Sequence, residues 1–266
     1  MTYDAPELTV DIKDFVATVE IQRPPHNFFD FALIRQIADT YEKIDQDPSV
    51  RAILLCANGK SFCAGANFGD GSTVQDDGSV EGSVNRLGID HLYVEAVRVF
   101  ACKTPVVAAV QGAAIGGGLG LAMSADFRVG CSESRFAANF TRLGFHPGFG
   151  LTHTLPRAIG EQKAAMMFLT ARRVKGDEAL ALGLLDQMST LENVRQDAWD
   201  LAREIAVNSP LALDSTRATL RDGLAAAVKA QTDHELAEQT WLRKTEDFKE
   251  GVAATHDRRL PNWTGA

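Results

Sequence analysis

The chain has 266 residues, 45% of them hydrophobic, and a formal charge of −8 at neutral pH. That apolar content excludes a largely disordered chain, and the length suits one large α/β domain, with or without a helical appendage. The acidic balance, with no Lys/Arg cluster longer than two residues, excludes a typical nucleic-acid binder but leaves room for one anionic ligand held by a few local cations.

The first residues, Met1–Leu8, carry Asp4 and Glu7 and no apolar run, so no secretory leader is expected. Leu8–Lys13 and Phe15–Ile21 read as two strands joined at Asp14. Asp30 is placed to cap a helix running to about Asp47, with the apolar stripe Ile34, Ile37, Tyr41 and Ile44. Ala52–Cys56 is a continuous apolar run, as in a strand covered on both faces. Residues 67–83 are rich in Gly, Ser and Asp and read as a loop. A helix is expected from about Val84 to Ala101, then a second buried strand at Pro105–Val110, too short to span a bilayer. Gly116–Ala125 reads as a helix opening on glycines and Phe127–Val129 as a third strand.

From Leu151 the pattern is mostly helical. Ser189 and Glu192 have capping-box spacing ahead of the stripe Leu191, Val194, Ala198, Leu201, Ile205. Ser209–Pro210 ends that helix, and further helices run to about Arg258. The expected organisation is a core over 1–190 and a C-terminal helical region over 191–266. The four cysteines, Cys56, Cys63, Cys102 and Cys131, form no CxxC pair, and reduced thiols in a cytoplasmic protein are expected.

Two segments carry the pattern of chemistry. Ser61–Asn67 (SFCAGAN) follows the first buried strand, and Gln111–Gly120 (QGAAIGGGLG) follows the second. Each is a strand followed by a turn of small residues, which lets a ligand approach the backbone. A helix opening at Gly116–Gly118 aims free N–H groups at an anion or polarised carbonyl, and two such groups from separate loops make an oxyanion hole. Ordinary tight turns with close helix–strand packing account for the spacing equally well.

These segments resemble the crotonase (enoyl-CoA hydratase/isomerase) superfamily. FCAGAN at 62–67 is similar to its F-C-A-G-A-D-L segment, and PVVAAVQGAAIGGGLGLAMSADFRV at 105–129 to its P-V-I-A-A-V-x-G-x-A-x-G-G-G segment. RFAANFTRLGFHPGFGLTHTLPRAIG at 135–160 resembles its F-x-x-P-E-x-x-L-G-x-x-P-G-x-G segment, and EGVAATHDRRLPNW at 250–263 its C-terminal ending. The resemblance implies an α/β spiral of ββα units with a C-terminal helical trimerisation region, assembled as a trimer or hexamer. It implies an acyl-CoA substrate, with coenzyme A as part of that substrate, no other cofactor, no metal, and neither nucleic acid nor membrane as partner. Carried over by position, the oxyanion N–H groups are those of Ala66 and Gly117. Ala64, Gly65, Ala66, Asn67 and Phe68, together with Gly116, Gly117 and Phe140, border the pantetheine and acyl chain.

The chain departs from the family pattern at the carboxylates. The two positions that carry glutamate in the family's hydratases are Gly120 and Phe140, an aspartate position of other members is Gly148, and the Asp of A-G-A-D is Asn67. General acid–base catalysis is worth about 10²–10⁴-fold, so slow hydration, or another proton carrier, is expected. Three candidates for that carrier are His146 in the P-G-x-G turn, His91 on a helix stripe with Val84, Leu87 and Val94, and Asp70 in the loop after the oxyanion segment. Each has an ordinary structural reading as well. Arg142 is a candidate counter-charge for a substrate carboxylate, and Arg23, Arg258 and Arg259 are candidates for the CoA phosphates. His234–Glu238 (HELAE) lacks the second His of a zinc helix, and neither GxGxxG nor GxSxG occurs. The leading expectation is an enoyl-CoA hydratase/isomerase-type enzyme. Its alternatives are another enolate chemistry, such as decarboxylation, C–C cleavage or thioester hydrolysis, and a CoA-binding protein with little turnover.

Overall fold

The protein is described here by a computed structural model covering residue 3, residues 5–68 and residues 91–266. Its elements are β1 (Leu8–Lys13), β2 (Val16–Ile21), α1 (Phe31–Ile44), β3 (Ala52–Ala57), α2 (Leu92–Phe100), β4 (Val106–Val110), β5 (Ala113–Ile115), α3 (Gly117–Ser124), β6 (Phe127–Cys131) and β7 (Arg135–Ala137). They continue with α4 (Leu151–Ile159), α5 (Glu161–Thr170), β8 (Arg173–Lys175), α6 (Gly176–Leu182), β9 (Gln187–Ser189), α7 (Val194–Ala206), α8 (Pro210–Leu220), α9 (Leu224–Leu242) and α10 (Glu246–His256).

One sheet runs β1-β2-β3-β4-β6-β9, antiparallel only between β1 and β2, and a second runs β5-β7-β8. In β3, Ile53 and Leu55 face one core and Ala52, Leu54 and Cys56 the other. That two-sided burial is why its sequence is apolar without alternation. Helices α1 and α2 cover the first face with Ile34, Ile37, Tyr41 and Phe100. The second face is covered by α7 with Val194, Ala198, Ala202 and Ala206, every fourth residue of the helix. Ala198, Ala202 and Ala206 have small side chains, so this helix can lie close against the sheet.

The Asp30 cap is present, its carboxylate accepting from the Leu33 N–H at 2.9 Å. Two expectations are corrected. The Ser189/Glu192 capping box does not form: Ser189 ends β9, Asn193 is the residue before α7 and gives no side-chain cap, and Leu191 is exposed. Of the expected stripe Val194 and Ala198 are in the core and Leu201 and Ile205 pack against it, while Ala202 and Ala206 complete the buried row. The expected 84–101 helix is present as Leu92–Phe100, and its earlier part lies outside the described residues. The three-residue strands β5, β7, β8 and β9 were not expected, being too short to show a period of two. Among the described residues no helix is long and apolar enough to cross a membrane.

Candidate active site

The two small-residue turns lie side by side. Cys63, after β3, pairs with Ala114 of β5: its N–H donates to Ala113 O at 2.9 Å, and its carbonyl accepts from Ile115 N at 3.1 Å. The glycines are what allow the approach. Gly65 has φ +81°, and a β-carbon there would lie 2.6 Å from Ile115 O and 3.7 Å from Gly117 N. A β-carbon on Gly118 would lie 2.1 Å from Cys63 O. Gly117 opens α3, so its N–H has no partner within the helix. Among the described residues neither the Ala66 nor the Gly117 N–H meets an acceptor.

Both turns line a cavity of about 460 Å³. Ala64, Gly65, Phe68, Gly116 and Phe140 line it as well. Much of its wall is aromatic. Phe29 and Phe149 have ring centroids 5.7 Å apart, Phe140 and Phe145 5.4 Å, and Phe145 and Phe68 5.9 Å. Aromatic side chains also close the space at Gly120 and Gly148. A β-carbon on Gly120 would lie 2.7 Å from both Cβ and Cδ1 of Phe149, and one on Gly148 would lie 1.8 Å from the Tyr93 hydroxyl.

Polar groups enter from α2 and α9. The Tyr93 hydroxyl donates to Gln239 Oε1 at 3.0 Å, and Arg243 Nη2 donates to the same oxygen at 2.7 Å. Gln239 Nε2 donates in turn to the carbonyls of His146 at 2.8 Å and Pro147 at 3.2 Å. Glu235, one helical turn earlier, accepts from Gly150 N at 2.7 Å and Thr152 N at 3.0 Å, and so fixes the start of α4 and the turn before it. Burial raises its carboxyl pKa despite these donors.

His91 lines the cavity, but as the N-cap of α2 and not as a member of a helical stripe; Val94, placed on the same stripe by sequence, is 54% exposed. Its Nδ1 accepts from Tyr93 N at 3.3 Å, which leaves the proton on Nε2. That Nε2 is sealed from solvent without an acceptor among the described residues. Burial, then the Arg243 charge, push the imidazole pKa down to about 3, so it is neutral at physiological pH.

The other sequence candidates are placed differently. His146 does not line the cavity: its Nδ1 lies 2.9 Å from Pro147 O and its ring faces His234 at 5.6 Å. Arg23 does not line it either, because its guanidinium is taken up by Glu7, Asp30 and the Phe28 carbonyl. Arg142 is exposed on a 3-10 turn outside the lining. Asn67 follows the oxyanion segment without lining the cavity, Arg259 pairs with Glu250, and Asp70 lies outside the described residues. Arg258 does line it, exposed, with Arg173 and His256. Cys63 is fully buried, and desolvation pushes its thiol up to about 12, which suits packing and not nucleophilic attack. Among the described residues no three His, Cys, Asp or Glu side chains are grouped to hold a metal.

Sequence reasoning missed Tyr93, Phe149, Gln239 and Arg243. The one available signal was the four-residue spacing of Glu235, Gln239 and Arg243, a polar row on a helix face that turns out to be covered.

Residues 11–266 match the family described as enoyl-CoA hydratase/isomerase. A short-chain-enoyl-CoA hydratase of Clostridium acetobutylicum is 32% identical over 246 residues, covering 92% of each chain. A 1,2-epoxyphenylacetyl-CoA isomerase of Escherichia coli is 28% identical over 254 residues, covering 94% of this chain and 95% of its own. The crystal structure of an enoyl-CoA hydratase/isomerase from Pseudoalteromonas atlantica superposes with a TM-score of 0.85 at 27% identity, over 97% of this chain and all of the other.

Proposed function

The chain belongs to the enoyl-CoA hydratase/isomerase family and has its crotonase fold, and from that premise we propose that it acts on an acyl-CoA thioester through an enolate. In this reading the thioester oxygen sits between the N–H groups of Ala66 and Gly117. The observation that carries it is the contact of the two turns, with the Gly117 nitrogen 3.7 Å from the β-carbon position of Gly65 and the Gly117 N–H, at the opening of α3, without an acceptor among the described residues. These donors are fixed before substrate arrives, so charge that develops on the oxygen meets dipoles needing no reorganisation. One such donor is worth roughly 3–4 kcal/mol of barrier. Arg173, His256 and Arg258, exposed around the cavity, suit the phosphates of CoA.

The reaction we favour does not add water by the paired-glutamate route. In this reading the two glutamate positions are Gly120 and Phe140; Phe149 fills the space at Gly120, and the rings of Phe140 and Phe149 neither hold nor orient water. Polar side chains that line the cavity include the neutral His91, whose Nε2–H has no acceptor among the described residues, and Tyr93, whose hydroxyl already donates to Gln239 Oε1. Isomerisation or another enolate chemistry fits such a site better than hydration.

Vibrational spectroscopy of a bound thioester carrying a ¹³C carbonyl tests the core of the reading. The carbonyl stretch moves to lower frequency if the two N–H groups polarise it, and an unshifted stretch on a bound ligand excludes the oxyanion role. We also propose self-association as a trimer or dimer of trimers. The C-terminal half leaves Leu169, Leu211 and Leu220 at 78%, 81% and 69% exposure, more apolar surface than a monomer needs to show. Light scattering at micromolar concentration tests this, and a 28.8 kDa species overturns it.

A further inference from the structure

Arg243 stands apart from the other cations of the site. Arg173, His256 and Arg258 are exposed, whereas Arg243 is largely enclosed and its Nε is sealed from solvent. Among the described residues Arg128 has Asp186, and Arg217 and Arg221 share Asp126; Arg51 and Arg203 lack a carboxylate, but neither lines this cavity. Arg243 has none among the described residues. Its contacts are the neutral amide oxygen of Gln239 at 2.7 Å and the Phe145 ring, 5.6 Å from its guanidinium carbon. An enclosed charge without a counter-charge is costly to keep, and it is resolved when an anion arrives.

A second donor faces the same space. His91 also lines the cavity, its Nε2–H has no acceptor among the described residues, and Arg243 is close enough for its charge to disfavour a cation on that imidazole. Two side chains with donors unmet among the described residues therefore border one cavity, and one of them carries a positive charge with no described counter-charge. They come from the N-cap of α2 and the C-cap of α9, elements separate from the two small-residue turns. The CoA phosphates are better served by the exposed cations, since a phosphate keeps much of its hydration.

We propose that the acyl group of the substrate carries a second carboxylate, held by Arg243 with the His91 Nε2–H as an additional donor. The proposal rests on the thioester reading above and deepens it by naming the substrate class as a dicarboxylic acyl-CoA. Planar guanidinium binds carboxylate through charge-assisted hydrogen bonds, with a geometry that a lysine cannot reproduce.

Calorimetry with free CoA, pentanoyl-CoA and glutaryl-CoA tests it, because the two thioesters have the same number of acyl carbons and differ in the terminal group. The wild type binds glutaryl-CoA at least about tenfold more tightly than pentanoyl-CoA. In Arg243→Met the preference disappears, while pentanoyl-CoA and free CoA bind within about threefold of wild type, and Arg243→Lys recovers part of it. Equal affinity of the wild type for the two thioesters overturns the carboxylate subsite and leaves the thioester reading standing. Failure of either thioester to bind more tightly than free CoA overturns both. Equal weakening of all three ligands by Arg243→Met overturns the proposal in favour of a phosphate contact. The wild-type comparison decides the matter even if the Arg243→Met protein fails to fold.

Discussion

Phe149 occupies the space into which a side chain at Gly120 would project: a β-carbon built on Gly120 lies 2.7 Å from Phe149 Cβ, an atom anchored to the backbone and unable to swing away. Gly120 is therefore not a vacancy open to a larger side chain. Its neighbour has grown into the volume, and Phe29 stacks against the same ring at 5.7 Å.

It follows that Gly120→Glu does not create a hydratase. The substitution overpacks a closed core, which costs about 1–3 kcal/mol, and thermal unfolding moves down accordingly. Wild type and variant both hydrate crotonyl-CoA slowly in an absorbance assay. A gain of about a hundredfold in the variant would show that Phe149 yields and that the site keeps the hydratase geometry.

Gly148 and Tyr93 are coupled in the same way. A β-carbon at 148 would lie 1.8 Å from the Tyr93 hydroxyl and 2.6 Å from Gln239 Nε2. Gly148→Ala is therefore strongly destabilising, whereas Tyr93→Phe loses the hydrogen bond to Gln239 at a cost of about 0.5–1.5 kcal/mol. The double variant is more stable than the sum of the two by at least about 0.5 kcal/mol, because removing the hydroxyl relieves the closest contact, leaving those to Gln239 Nε2 at 2.6 Å and Tyr93 Cζ at 2.8 Å. Denaturant unfolding of the four proteins measures the coupling, and strict additivity would place the clash elsewhere.

His91 predicts an acid-sensitive stability. Its folded-state pKa is lowered from 6.5 to about 3, so as the pH falls the unfolded chain takes up this proton first and the folded state loses ground. The loss sets in below about pH 6.5 and continues towards about pH 3, reaching about 2 kcal/mol by pH 5. His91→Gln lacks this titration, so the stability of the wild type relative to the variant declines over that window. Parallel curves from pH 7 to pH 5 would mean that the imidazole is free to ionise in the folded protein.

All four cysteines are buried, and burial raises the thiol pKa of each, to about 11 for Cys56 and about 12 for Cys63. Attack on a disulfide reagent needs a thiolate with access to solvent. The native protein therefore shows no fast reaction with a chromogenic disulfide, and all four thiols react once it is unfolded. Rapid native labelling of Cys63 would reopen it as a nucleophile.

How much of this was legible in the sequence differs between the backbone and the side chains of the site. The two strand–turn segments, the glycines at 65 and 116–118 and the Asp30 cap were readable because each is a local constraint: a positive φ, a close backbone contact or a helix start selects residue types within a few positions. Those same segments carry the resemblance to the enoyl-CoA hydratase/isomerase family, so family membership followed from the sequence alone. Which side chains reach the cavity did not. Phe149 fills the space at Gly120, and Tyr93 and Gln239, 146 residues apart, close Gly148 together. Arg243 reaches the cavity from the end of α9, while His146, in the turn expected to line it, points away to His234. Those outcomes depend on how α9 lies against α2 and α4. A side chain's direction relative to a remote segment leaves no periodic trace in its own stretch of chain, so only the tertiary structure decides it.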